Sequence, residues 1–128
     1  MIDAPGASHE IKHRPTEIRL KKEDKTLELD FAGGERFSLS AEFLRVSSPS
    51  AEVRGHGPGQ ETLISGRRHV GIMDIEAVGN YAIRILFDDL HDTGIYSWDL
   101  LYNFGRDRDR LWQDYLDRLD AAGASREP

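Results

Sequence analysis

GNYAIRILFDDLHDTGIYSWDLLYNFG, residues 79–105, joins a strand, an acidic turn and a capped helix in one continuous stretch. Tyr81 to Phe87 alternate Tyr, Ile, Ile and Phe with smaller or polar neighbours, the period of two that a sheet strand requires. Asp88 to Thr93 stack three aspartates around His91 and cannot continue that strand, so they read as a turn that ends at Gly94. Ile95-Tyr96 returns to extended geometry. Ser97 then caps a helix, with its hydroxyl placed to accept from a first-turn amide and Asp99 placed near the positive end of the helix dipole.

Working outward, the same alternation marks four more strands. Ile18 and Leu20, then Leu27, Leu29 and Phe31, give two strands about the charged turn Lys22 to Lys25. Ala32-Gly33-Gly34 turns the chain into a third, with Phe37 and Leu39. Ser40 caps a short helix over 41–46, which Ser47-Ser48-Pro49-Ser50 ends. Residues 54–60, RGHGPGQ, read as a loop rich in glycine, and Ile72 to Val78 as a strand turning at Gly79-Asn80 into the opening stretch. After Trp98, Leu101, Phe104, Leu111, Trp112, Tyr115, Leu116 and Leu119 recur at helical spacing, with Gly105 as an expected interruption. Residues 1–14 and 124–128 read as flexible ends around a single domain over 15–123.

Composition limits the chemistry. With 128 residues there is room for one hydrophobic core. The net charge of −6 removes the reservoir of cations that nonspecific nucleic-acid binding draws on. With no cysteine, disulfides, thiolate zinc sites, cysteine-held iron–sulfur clusters and cysteine nucleophiles are excluded. No apolar run approaches the roughly 20 residues needed to span a bilayer, and the first residues lack a signal-peptide core. The expectation is a cytoplasmic protein that binds neither nucleic acid nor membrane.

LSAEFLRVSSPSAEVRGHGPG at 39–59, together with FDDLHDTGIYSWDLLYNFG at 87–105, resembles the gamma-butyrobetaine hydroxylase-like N-terminal domain family. The resemblance spans roughly Pro15 to Gly123. It implies a small β-rich domain with peripheral helices, found alone in bacteria and as an accessory domain of larger proteins. Those include iron- and 2-oxoglutarate-dependent hydroxylases and nucleotide-dependent iron–sulfur cluster carriers. The hydroxylase version implies a structural zinc held by three cysteines and a histidine. The matching positions here are Ser48, Ser50, Val53 and His91, so only the histidine is kept and the zinc is expected to be absent.

His91, beside Asp88, Asp89 and Asp92, is the candidate anchor for any divalent metal, with His56 and His69 as further candidates. The plainer reading is a turn histidine bonded to its own loop. Arg54, Arg67 and Arg68 with His69 form a candidate anion or acidic-peptide site, against the plainer reading of scattered solubilising charge. The GHGPG loop lacks the Lys-Ser/Thr ending of a phosphate loop, and no nucleophile elbow surrounds Ser47, Ser48 or Ser50. Tyr96 and Trp98 are either recognition residues or, more simply, core anchors where a strand meets a helix.

These readings converge on an α+β domain with an antiparallel sheet of five or six strands, a short helix and a C-terminal helical region. The expected function is a noncatalytic accessory module that binds an unidentified protein, linked by the resemblance to iron–sulfur or metalloenzyme maturation. Arg54, His56, Arg67, Arg68, Asp88, Asp89, His91, Asp92, Tyr96 and Trp98 are its candidate surface, and no cofactor is expected. A metal-binding protein anchored on His91 is the alternative, and an oxygenase-related enzyme the weaker one.

Overall fold

A computed structural model describes residues 11–55 and 61–128. β1 (Pro15–Lys21), β2 (Thr26–Phe31) and β3 (Arg36–Ser40) form one antiparallel sheet in the order β1-β2-β3. β4 (Ile72–Val78), β5 (Ala82–Phe87) and β6 (Ile95–Ser97) form a second, in the order β4-β5-β6. The α+β class is as expected, and so is the number of strands. Their division into two sheets differs from the single sheet read from the sequence. The cause lies after β3, where Ser40 accepts from the Phe43 amide and starts α1 (Ala41–Val46) at once, leading the chain away from the sheet edge.

β2 alternates buried Leu27, Leu29 and Phe31 with half-buried Thr26, Glu28 and Asp30. Its apolar face meets Ile83, Ile85 and Phe87 of β5 in one hydrophobic cluster, closed by Phe43 and Leu44 of α1 and by Leu101 and Phe104 of the last helix. On β2's opposite face Arg19 donates to Glu28 and Asp30 across the β1–β2 ladder.

α3 (Trp98–Ala121) is capped by Ser97, which accepts from the Leu100 amide. It runs unbroken through Gly105, contrary to the expected interruption. A Cβ at position 105 would stand 2.2 Å from Cγ of Phe37, so this glycine serves the close passage of helix over ring. Asp99 also fixes the incoming chain, accepting from the amides of Lys12 and His13. The rest of the expected N-terminal tail, residues 1–10, lies outside the described residues. The other end differs from expectation too. The Gly66 amide donates to Ser125 O at 2.9 Å, and that of Arg68 to Arg126 O at 3.0 Å. Arg126 grips the buried Glu42 carboxylate with two hydrogen bonds of 2.8 and 2.7 Å. A carboxylate so shielded needs a cation, which gives residues 124–127 a reason to lie against the body.

Candidate functional site

The segment after α1 and the acidic turn after β5 come together, 43 residues apart in sequence. Ser48 Oγ lies 3.0 Å from His91 Nε2, and both residues are buried. Ser48 also accepts from the Ser50 amide. Gly94 makes this approach possible, because a Cβ there would come within 2.5 Å of Ser48 Oγ and 3.0 Å of the Tyr96 ring. Ser50, which the sequence reading used only to end α1, caps α2 (Ala51–Arg54) by accepting from the Glu52 amide. Thr93 donates to Glu52 Oε1 at 2.5 Å, so its single hydrogen is committed and Ser50 must supply the one in the 2.6 Å Ser50–Thr93 bond. Five side chains, Ser48, Ser50 and Glu52 from one segment and His91 and Thr93 from the other, thus tie the two together.

Asp89 anchors the turn from the other side. It accepts from the His91 amide, and its Oδ2 takes Nε of both Arg45 and Arg67 at 2.8 Å. Burial works against its charge, but the His91 amide and the two guanidiniums together hold its carboxyl below the usual range. Arg45 is only 7% exposed, so Asp89 is the counter-charge of a buried cation. Burial, reinforced by the Arg45 charge, pushes the His91 ring below its ordinary value and keeps it neutral at pH 7. Burial pushes the Tyr96 phenol far above its usual range, where it stays a donor and gives its hydrogen to Leu44 O at 2.6 Å.

Ser48, His91 and Glu52 imitate a nucleophile–base–acid order. The arrangement is unsuited to attack on a substrate, because Ser48 has no exposed surface and Glu52 Oε1 lies 3.9 Å from His91 Nδ1, too far to hold the ring. The zinc implied by the hydroxylase resemblance does not fit either. Ser48 stands against His91 and Ser50 against Thr93, but at the three matching positions neutral hydroxyls and the alkyl group of Val53 replace the thiolates, and the Ser48 hydroxyl engages the ring nitrogen Nε2. Among the described residues no three His, Asp or Glu side chains converge to hold a metal ion.

The remaining candidates scatter. Tyr96 and Trp98 are core anchors, with Trp98 donating to Asn80 O, and they present nothing to a partner. Arg67 joins Asp89, Arg68 pairs with Glu127, and Arg54 borders a different cleft beside Glu61 and Arg118. His69 lines a shallow cleft with Arg67, Asp88 and Asp89, so the four candidate residues do not form one basic site and the plainer reading of dispersed charge fits them better. His56 lies outside the described residues. Asp88 and Asp92 are exposed on the turn.

Sequence reasoning missed the residue between them. Leu90 is 82% exposed and adopts φ of 72°, a left-handed conformation that non-glycine side chains rarely take. It is held there by Leu90 N–H to Phe87 O and by Phe87 N–H to His91 O. One signal pointed to it: a leucine inside an acidic turn, with no strand or helix to bury it.

Two NMR solution structures resemble this fold. One is 46% identical, with a TM-score of 0.79, and covers 91% of each chain. The other is 45% identical, also with a TM-score of 0.79, and covers 100% of this chain and 92% of its own. The crystal structure of a protein with unknown function of the DUF971 family, from Acidithiobacillus ferrooxidans, is 33% identical with a TM-score of 0.61. It covers 72% of this chain and 92% of its own. No match was found among curated proteins. No helix among the described residues is long and apolar enough to cross a membrane. The family model for gamma-butyrobetaine hydroxylase-like N-terminal domains matches residues 18–102, two thirds of the sequence, and with the paired SSPS and acidic-turn segments in place the chain belongs to that family.

Proposed function

We propose that this domain is a noncatalytic binding module that docks a partner protein through the turn at 88–92, in the service of iron–sulfur or metalloenzyme maturation. The observation that supports it is Leu90, a large apolar side chain held in solvent in an unfavourable backbone conformation. Backbone strain of this kind costs on the order of 1 kcal/mol and persists only where the surroundings enforce it. Here they do so on both sides, through Asp89 with Arg45 and Arg67, and through His91 with Ser48. His91, the candidate metal anchor of the alternative reading, thus serves with Ser48 as part of the clamp that presents the turn.

The flanking charge describes the partner. Exposed Asp88 and Asp92 suit an apolar notch with a cationic rim, so that Leu90 is the buried anchor and the aspartates set orientation. The maturation pathway comes from the family's accessory contexts and is the finer part of the proposal.

Native mass spectrometry of the protein purified from its own cells tests both parts. A stoichiometric protein complex is expected with the natural sequence and its loss with Leu90→Asn, since asparagine tolerates the left-handed backbone and leaves the clamp intact. Equal recovery with Leu90→Asn, or no stoichiometric partner, rejects the docking surface. A partner without an iron–sulfur cluster or metal removes the pathway.

A further inference from the structure

A second cleft, of about 340 Å³, opens between the β1–β2 turn, α1, α3 and the chain's last residues. Lys25, Arg68, Arg108 and Arg126 line it with Trp112, against only two acidic side chains, Asp24 and Glu42. In a chain of net charge −6 that is a local excess of two positive charges.

The pairing pattern shows which cations are free to act. Arg126 is committed to Glu42, and Arg68 reaches Glu127. Among the described residues the one ion-pair partner of Arg108 is Asp109, which is almost wholly in solvent, so that pair is weak. Among the described residues Lys25 makes no ion pair, and its ammonium donates to His69 O at 2.9 Å. Trp112 orders the arginines, with the guanidinium carbons of Arg108 and Arg126 lying 5.5 and 5.2 Å from its ring centre.

Lys25 is also the other non-glycine residue with positive φ among the described residues, at 54°. Its amide donates to Lys22 O, its carbonyl accepts from the Ala41 amide, and its ammonium is tethered to His69. A turn position that glycine or asparagine would fill with less strain carries a lysine pinned at three points over a cationic cleft.

We infer that this cleft is a binding site for a small dianion of the phosphate class, with Lys25 and Arg108 supplying the two charges and Arg68 and Arg126 the spare guanidinium donors. A guanidinium fork and an ammonium are the usual pair for a tetrahedral oxyanion. The acidity of the rest of the surface disfavours a long polyanion. The assignment is independent of the Leu90 surface.

The test is an NMR titration with inorganic phosphate at constant ionic strength, reading the Trp112 indole and Lys25 amide signals, with glycerol phosphate and succinate as separate arms. Saturable shifts are expected with phosphate, and an apparent dissociation constant at least about tenfold higher in Lys25→Asn and in Arg108→Gln. Lys25→Asn retains the left-handed turn, so its unfolding midpoint should hold or rise while binding falls. Tighter binding of glycerol phosphate than of inorganic phosphate would mark a phosphorylated metabolite as the natural ligand, and the reverse order free phosphate. No saturation by about 10 mM phosphate, unchanged affinity in Arg108→Gln, or preference for succinate overturns the assignment.

Discussion

At Asp89 a single carboxylate balances two arginines, one of them buried, and the energetic consequence follows from that imbalance. Asp89→Ala leaves the Arg45 guanidinium in a shielded position without its counter-charge. The expected cost is about 3 kcal/mol in urea unfolding, far above that of an exposed pair. Among the described residues Arg45 Nη1 has no partner, so an ordered water beside it is expected in a high-resolution crystal structure. His91 gives a pH dependence of definite sign. Its folded ring titrates below the ordinary 6.5, so the unfolded chain takes the proton first as pH falls. Stability should therefore be full above about 6.5, decline below it, and lose no more through this ring once the lowered folded value is passed. His91→Gln should flatten the urea midpoint between about pH 7 and 5. Asp89, held below 3.8, contributes its own loss only in more acidic solution. A midpoint that falls equally in the variant would show that another group governs this range.

The elements were legible where local chemistry decides them. Ser40 and Ser97 cap the helices they were read to cap, and the alternation of Leu27, Leu29 and Phe31 placed a half-buried strand correctly. Gly105 was misread because helix propensity treats glycine as a defect, whereas the reason for it is a ring from another element. Gly105→Ala isolates the two effects. Alanine should gain about 1 kcal/mol of helix propensity, but the clash with Phe37 should outweigh it and leave the domain less stable by about 1–2 kcal/mol. Phe37→Ala should then cost less in the Gly105→Ala background than alone, a double-mutant cycle read by chemical denaturation. Tyr81 shows a similar limit. It continued the apparent alternation of β5, yet it is half exposed in the turn, because a period of two does not mark where a strand begins.

Across the whole molecule, the sequence indicated which two segments matter and could not say how they meet. Ser48 and His91 were matched to family positions, but their contact depends on Gly94 lacking a side chain and on β5 delivering the turn beside α1. The scattering of Arg54, Arg67 and Arg68, and the gathering of Lys25, Arg108 and Arg126, are likewise products of topology rather than of spacing. Because the Ser48 hydroxyl engages His91 Nε2 and no thiolate is present to hold zinc, adding zinc to the protein should leave its thermal midpoint unchanged; a rise that disappears in His91→Ala would restore the metal reading. One architectural fact bears on how the chain acquires its shape. Each sheet is a meander of consecutive strands, so no ladder has to wait for a distant part of the chain. Loop-closure entropy is therefore small within each sheet, and the slow event should be the docking of two preformed halves under α3. Hydrogen exchange in the native state should then reveal two cooperative units, divided between β3 and β4, that open at different free energies.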